Sequence, residues 1–120
     1  MKSLLGNTRI ADLTFHRSGR INISSRIAKG LCLSGGDVID IAEDNGEYYI
    51  YCLRRAPIGR HHGVVYPSSK KGGGFVGSST TLARAILSLC HEEEKAALPC
   101  GEIVSLPIGA AYPIITKLKL

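Results

Sequence analysis

The apolar residues of this chain fall in short alternating runs, and glycine, serine and asparagine separate the runs at close intervals. Leu13-Thr-Phe-His-Arg reads as a short strand, Ser18-Gly19 as its turn, and Arg20-Ile-Asn-Ile as a returning strand whose Ile21 and Ile23 alternate with polar neighbours. Ser24 or Ser25 then caps a helix of one to two turns. Ile27 and Leu31 stand four apart on one face of it, and a serine oxygen can accept from a free first-turn amide. Gly30 keeps that helix short. Val38-Ile-Asp-Ile-Ala is a β-branched strand, Asn45-Gly46 suits a type I′ hairpin turn, and Tyr48-Tyr-Ile-Tyr-Cys-Leu returns towards Arg54-Arg55. Residues 13 to 55 therefore predict the order β-β-α-β-β.

The second half begins in the same way. Ala56-Pro-Ile-Gly-Arg-His-His-Gly is a joint, and Val64-Val-Tyr and Phe75-Val flank the turn Ser68-Ser-Lys-Lys-Gly-Gly-Gly. Ser78, Ser79 or Thr80 caps the main helix, in which Leu82, Ala83, Ile86, Leu89 and Cys90 form an apolar stripe opposite Arg84 and Ser88. Glu102-Ile-Val-Ser-Leu and the run from Tyr112 to Leu120 read as strands. A second β-β-α-β-β order results, although the residues themselves do not repeat. The expected fold class is mainly β with short helices, in two modules over residues 1–56 and 57–120.

Composition narrows the partners more than the fold. At 120 residues the chain can bury a modest core, and association of copies would add to it. The net charge is +5, and it is clustered: Arg9, Arg17, Arg20, Arg26 and Lys29 face Asp12 alone within residues 9 to 29. Cys32, Cys52, Cys90 and Cys100 form no Cys-x-x-Cys pair, and the opening residues lack the apolar run of a signal peptide, so a reducing cytoplasm is the expected location. No window approaches the roughly 18 apolar residues of a membrane-spanning helix.

The stretch from Leu13 to Ile41 resembles the AbrB/MazE/SpoVT family of swapped-hairpin DNA-binding domains. The likeness rests on Gly19-Arg20 followed by Ile21 and Ile23, a short helix ending near Leu31, then Leu33 and Gly36-Asp37 before a two-strand hairpin. It implies a β-barrel made by two chains that interleave their hairpins, hence a homodimer, with basic residues beside the Gly-Arg turn and on the short helix facing duplex DNA. Carried over to this chain, Arg20 takes the Gly-Arg position, Lys29 the basic position of the helix, and Arg17 and Arg26 stand nearby. Ser24 replaces the proline common in the family, and Ala28 a second helix cation. An arginine fork suits phosphate or the O6 and N7 of guanine, which gives the same cluster a physical role as a polyanion contact.

The expected function is that of a DNA-binding protein, a dimeric transcriptional regulator, with residues 57–120 as an accessory module that extends the dimer or binds a protein partner. Two other readings stay open. One keeps the fold as a structural or protein-interaction module without DNA affinity. The other is single-strand nucleic-acid binding through the second half, where Arg54, Arg55, Arg60, Lys70 and Lys71 lie close in sequence to Tyr48, Tyr49, Tyr51 and Tyr66. The glycines from Gly72 to Gly77 imitate a phosphate loop, but Ser78 stands where its lysine is needed. His61, His62, Cys90, His91 and Cys100 match no recognised zinc spacing, and the serines near histidines are explained by turns and caps. No enzyme activity, cofactor or metal is expected.

Overall fold

A computed structural model describes residues 11–53, 63–68 and 73–117. Arg54, Arg55, Arg60, His61, His62, Lys70, Lys71 and Gly72 lie outside the described residues. The elements in chain order are β1 (Leu13–His16), β2 (Arg20–Ile23), α1 (Ser25–Gly30), β3 (Val38–Asp44), β4 (Glu47–Leu53), β5 (Val64–Pro67), β6 (Phe75–Ser78), α2 (Thr80–Leu89), β7 (Lys95–Leu98), β8 (Val104–Leu106) and β9 (Gly109–Ile114). Over the described residues the fold is mainly β with two helices, as the alternating pattern predicts.

Local chemistry accounts for most of these boundaries. Ser24 and Ser79 cap α1 and α2, each oxygen accepting from the amide three residues on, Ile27 and Leu82 respectively. Asn45 and Gly46 both take positive φ between β3 and β4, as a type I′ turn requires. Ala83, Ile86 and Leu87 bury one face of α2, whereas Leu89, expected in the apolar stripe, is 40% exposed at the helix end. The stretch Phe75–Ser78 is a strand, so the glycine run before it leads into a ladder and not into a helix.

Two boundaries differ from the sequence reading. Lys95-Ala-Ala-Leu forms β7, a strand without a single β-branched or aromatic residue, which is why composition hides it. The last strand begins at Gly109, whose φ of +116° follows a turn at Pro107-Ile108, and it ends at Ile114, well before Lys117. The second segment therefore runs β-β-α-β-β-β.

Among the described residues, the nine strands share one antiparallel sheet, in the order β7-β1-β2-β6-β5-β3-β4-β9-β8. The two segments interleave in it, mostly as neighbouring pairs of strands, so that β1 pairs with β7, β2 with β6, β3 with β5 and β4 with β9. The two ends of this order are consecutive stretches of chain. Just after β7, Cys100 bridges Ile114, the Gly101 amide donates to the Pro113 carbonyl, and the Ile115 amide donates to the Pro99 carbonyl. Buried side chains from both segments, among them Leu13, Phe15, Ile21, Ile50, Val65, Ile86 and Leu98, pack into one apolar cluster with Ile27 and Leu31 of the short helix. Among the described residues, no helix is long and apolar enough to cross a membrane.

Candidate nucleic-acid interface

The register of β7, β1, β2, β6 and β5 sorts their side chains onto two faces. Leu13, Phe15, Ile21, Ile23, Val65, Ala96 and Leu98 point into the core. Their neighbours in each strand must therefore point outward, and residues paired across strands share a face. Lys95 pairs with His16, and Arg20, which opens β2 across the turn, pairs with Ser78. The next outward row is Ala97, Thr14, Asn22, Val76 and Tyr66. A hollow of about 190 Å³ straddles β2 and β6 on this face, lined by Arg20, Asn22, Ser68, Gly74, Phe75 and Val76.

Arg20 is held along its own strand: its Nε donates to the Asn22 Oδ1 at 3.1 Å. The amide nitrogen of Asn22 lies 3.2 Å from His16 Nε2, and since that NH2 group can only donate, the imidazole accepts there in its neutral form. Partial burial, and then the positive charges of Arg20 and Lys95, hold the His16 pKa below the ordinary histidine value. A chain of polar groups thus joins Lys95, His16, Asn22 and Arg20 on a face where no carboxylate enters either row.

The sequence-predicted cations separate into three environments. Arg17 and Arg20 flank the β1–β2 turn, and Arg17 makes an exposed 3.5 Å ion pair with Glu94 while its carbonyl lies 3.5 Å from Arg84 Nε. Such an exposed pair is worth little, so it leaves the Arg17 head available. Lys29 is exposed on α1, in the last turn of the helix. Arg26 keeps 45% of its side chain exposed but is engaged within the chain. Its Nε and Nη2 donate to Asp12 at 3.2 and 2.8 Å, Nη2 also donates to the Cys100 carbonyl at 2.9 Å, and the guanidinium stacks 5.4 Å from the Tyr112 ring centre. Arg26 ties α1 to β1, the Cys100 bridge and β9, and it joins none of the outward rows.

Asp12 is the hub of that tie. It also accepts from the Cys100 amide at 2.8 Å and the Ser24 hydroxyl at 3.3 Å. Burial pushes its carboxyl up, but the hydrogen bonds from Arg26, Cys100 and Ser24 and the guanidinium charge outweigh it and hold the pKa below the ordinary carboxylate value. A carboxyl with a depressed folded pKa stabilises the fold fully above its unfolded value of about 4, and loses that contribution as pH falls through the folded value. Asp12→Asn should therefore cost about 1–3 kcal/mol at neutral pH, because the Cys100 amide and Arg26 keep weaker partners. The wild-type minus variant difference should shrink below about pH 4. Urea unfolding of both proteins from pH 7 to 2.5 reads it; a difference that grows with acid would contradict the assignment.

Sequence reasoning missed Lys95 and Asn22 as members of this surface. Nothing local marks them: Lys95 reaches His16 only because β7 crosses over to the edge of β1. None of the four cysteines is joined in a disulfide. Burial, then the nearby Asp12 charge, pushes the Cys100 thiol up to about 12, which keeps it protonated. Among the described residues, no three His, Cys, Asp or Glu side chains stand together as a metal site. The outward face can do one kind of chemistry: donate hydrogen bonds and positive charge to an extended anion, with Tyr66, 59% exposed, offering an aromatic surface beside them. Set against family models, curated proteins and solved structures, the chain matches none of them.

Proposed function

We propose that this protein binds duplex DNA through the outward face of β7-β1-β2-β6-β5, as a regulator of transcription built on a swapped-hairpin plan. The observation that carries the reading is the row Lys95, His16 and Arg20, two cations with a neutral histidine between them on neighbouring strands of an outward antiparallel face. Two of its strands come from the first segment and one from the second. The pairing of β1 with β7 and of β3 with β5 supports a swapped arrangement completed within one chain, in place of the exchange between two copies that the resemblance implies. Arg17, exposed at the β1–β2 turn, adds a further cation at the edge of this face, whereas Lys29 and Arg84 stand on helices that pack against the opposite, core-facing side of the sheet.

Phosphate neutralisation makes such binding steeply salt-dependent, with a log–log slope of about 0.9 per phosphate contacted. Fluorescence anisotropy of the full chain with random duplex DNA across a salt series should show this slope. Arg20→Ala should weaken binding roughly tenfold and lower the slope by about one. An unaltered affinity in that variant, or no binding at low salt, would remove the reading. The exposure of Tyr66 on the same face favours a second reading, single-strand binding by stacking, which predicts tighter binding to single strands and a loss in Tyr66→Ala that exceeds that of Arg20→Ala.

A further inference from the structure

The strand order β7-β1-β2-β6-β5-β3 reads the same from either end when each strand of one segment is exchanged for its counterpart in the other. β2 and β6 lie side by side at its centre, antiparallel, with Asn22 opposite Val76 and Ile21 and Ile23 opposite Gly77 and Phe75. β1 flanks β2, and β5 flanks β6. Gly19 and Gly73, both at positive φ, precede the two central strands, and each abuts the first turn of the other segment's helix, Gly19 at Thr80 and Gly73 at Ser25. On the far side, β4 meets β9 in the same antiparallel manner. The backbone thus has an approximate two-fold axis between β2 and β6, inside one chain.

The side chains do not obey it. Thr14 pairs with Asn22 on one side of the axis, and the matching pair on the other is Tyr66 with Val76. Counting along the ladders in the same way, His16 is matched by Ser68 and Arg20 by Gly74. One half of the face therefore presents hydrogen-bond donors and charge, and the other an aromatic ring and a β-branched methyl pair. Away from this face some residues do repeat: the caps Ser24 and Ser79, the buried alanines four residues on, Ala28 and Ala83, and the cations five residues on, Lys29 and Arg84.

A symmetric dimer presents two identical patches and reads a DNA sequence that repeats as an inverted copy. From the mismatch between backbone and side-chain symmetry we infer that one chain of this protein occupies one duplex site that lacks two-fold symmetry. The polar half takes base edges that offer hydrogen-bond acceptors or phosphate oxygens. The apolar half takes surfaces rich in thymine methyl groups. This inference rests on the proposed duplex binding and adds its stoichiometry and the kind of site.

Selection of sites from a random duplex library by the full-length protein, followed by native mass spectrometry on the selected duplex, tests it. The expected result is one chain per duplex and a consensus without inverted repeat. His16→Ala should then relax preference at one end of the site and Tyr66→Ala at the other, each by roughly tenfold. Both residues are on the outer face, so circular dichroism should match the wild type. A palindromic consensus holding two chains, or duplex binding with no sequence preference, would overturn the inference and leave duplex binding standing. Absence of any duplex binding at low salt would remove both.

Discussion

Phe15→Ala should cost this protein about 3–5 kcal/mol, enough to consume much of the roughly 5–15 kcal/mol by which such a domain is folded. Phe15 is fully buried on β1, between Ile21 on β2 and Ala96 on β7, so its ring touches a strand from each segment. Truncation removes the apolar surface and leaves a void that these short, paired strands cannot collapse to fill. Because one apolar cluster joins both segments, the loss should be shared by the whole chain. Urea unfolding followed by far-UV circular dichroism and by tyrosine fluorescence should give coincident midpoints, both shifted together in the variant. Phe75, half-buried on β6, should cost clearly less when truncated in the same way. Two separate transitions, or a Phe15→Ala loss below about 1 kcal/mol, would mean that the segments do not share a core.

Gly63→Ala should destabilise by about 2–4 kcal/mol, for a different reason. Gly63 sits at the seam where the second segment joins the first: its amide donates to the Ser78 carbonyl at 2.7 Å, and its own carbonyl accepts from the Ile39 amide at 2.8 Å. Its φ of +83° disfavours any side chain, and a Cβ there would stand 2.5 Å from the Ile39 carbonyl oxygen. Backbone cannot rotate aside as a flexible side chain can, so the β3–β5 junction itself must open. Gly46→Ala is the internal comparison. Gly46 has nearly the same φ of +81° but nothing within 4 Å of a built Cβ, so it carries only the conformational cost, about 1–2 kcal/mol. The stabilities of the two variants should differ, and hydrogen exchange at the Ile39 amide should rise only in Gly63→Ala. Equal costs would remove the contact from the account.

The two serine caps, the Asn45-Gly46 turn, the shortness of α1 and the strand edges at Leu13, Arg20 and Val38 were all legible in the sequence, since each depends on residues within a few positions of one another. Arg17 and Arg20 were legible as a basic turn for the same reason. Arg26 was not separable from them by sequence. Whether an arginine faces solvent or a carboxylate is decided by where Asp12, Cys100 and Tyr112 arrive, and two of those come from the far end of the chain. Lys95 shows the converse. Read locally it closes an acidic helix end, yet the register of β7 on β1 makes it a neighbour of His16.

Most elements, their caps and turns, the mainly β character and the cluster of cations between residues 17 and 29 are written in local sequence, because these follow from alternation, local hydrogen bonding and charge over short separations. Tertiary structure alone decided that the two segments share one sheet and one core. It also decided which cations remain outward, and that an approximate two-fold axis with unlike side chains runs between β2 and β6. Those outcomes depend on pairing partners dozens of residues apart, such as Ile21 with Gly77 and Phe15 with Ala96. An alternating strand states which face it buries, but it carries no mark of the strand beside which it will lie.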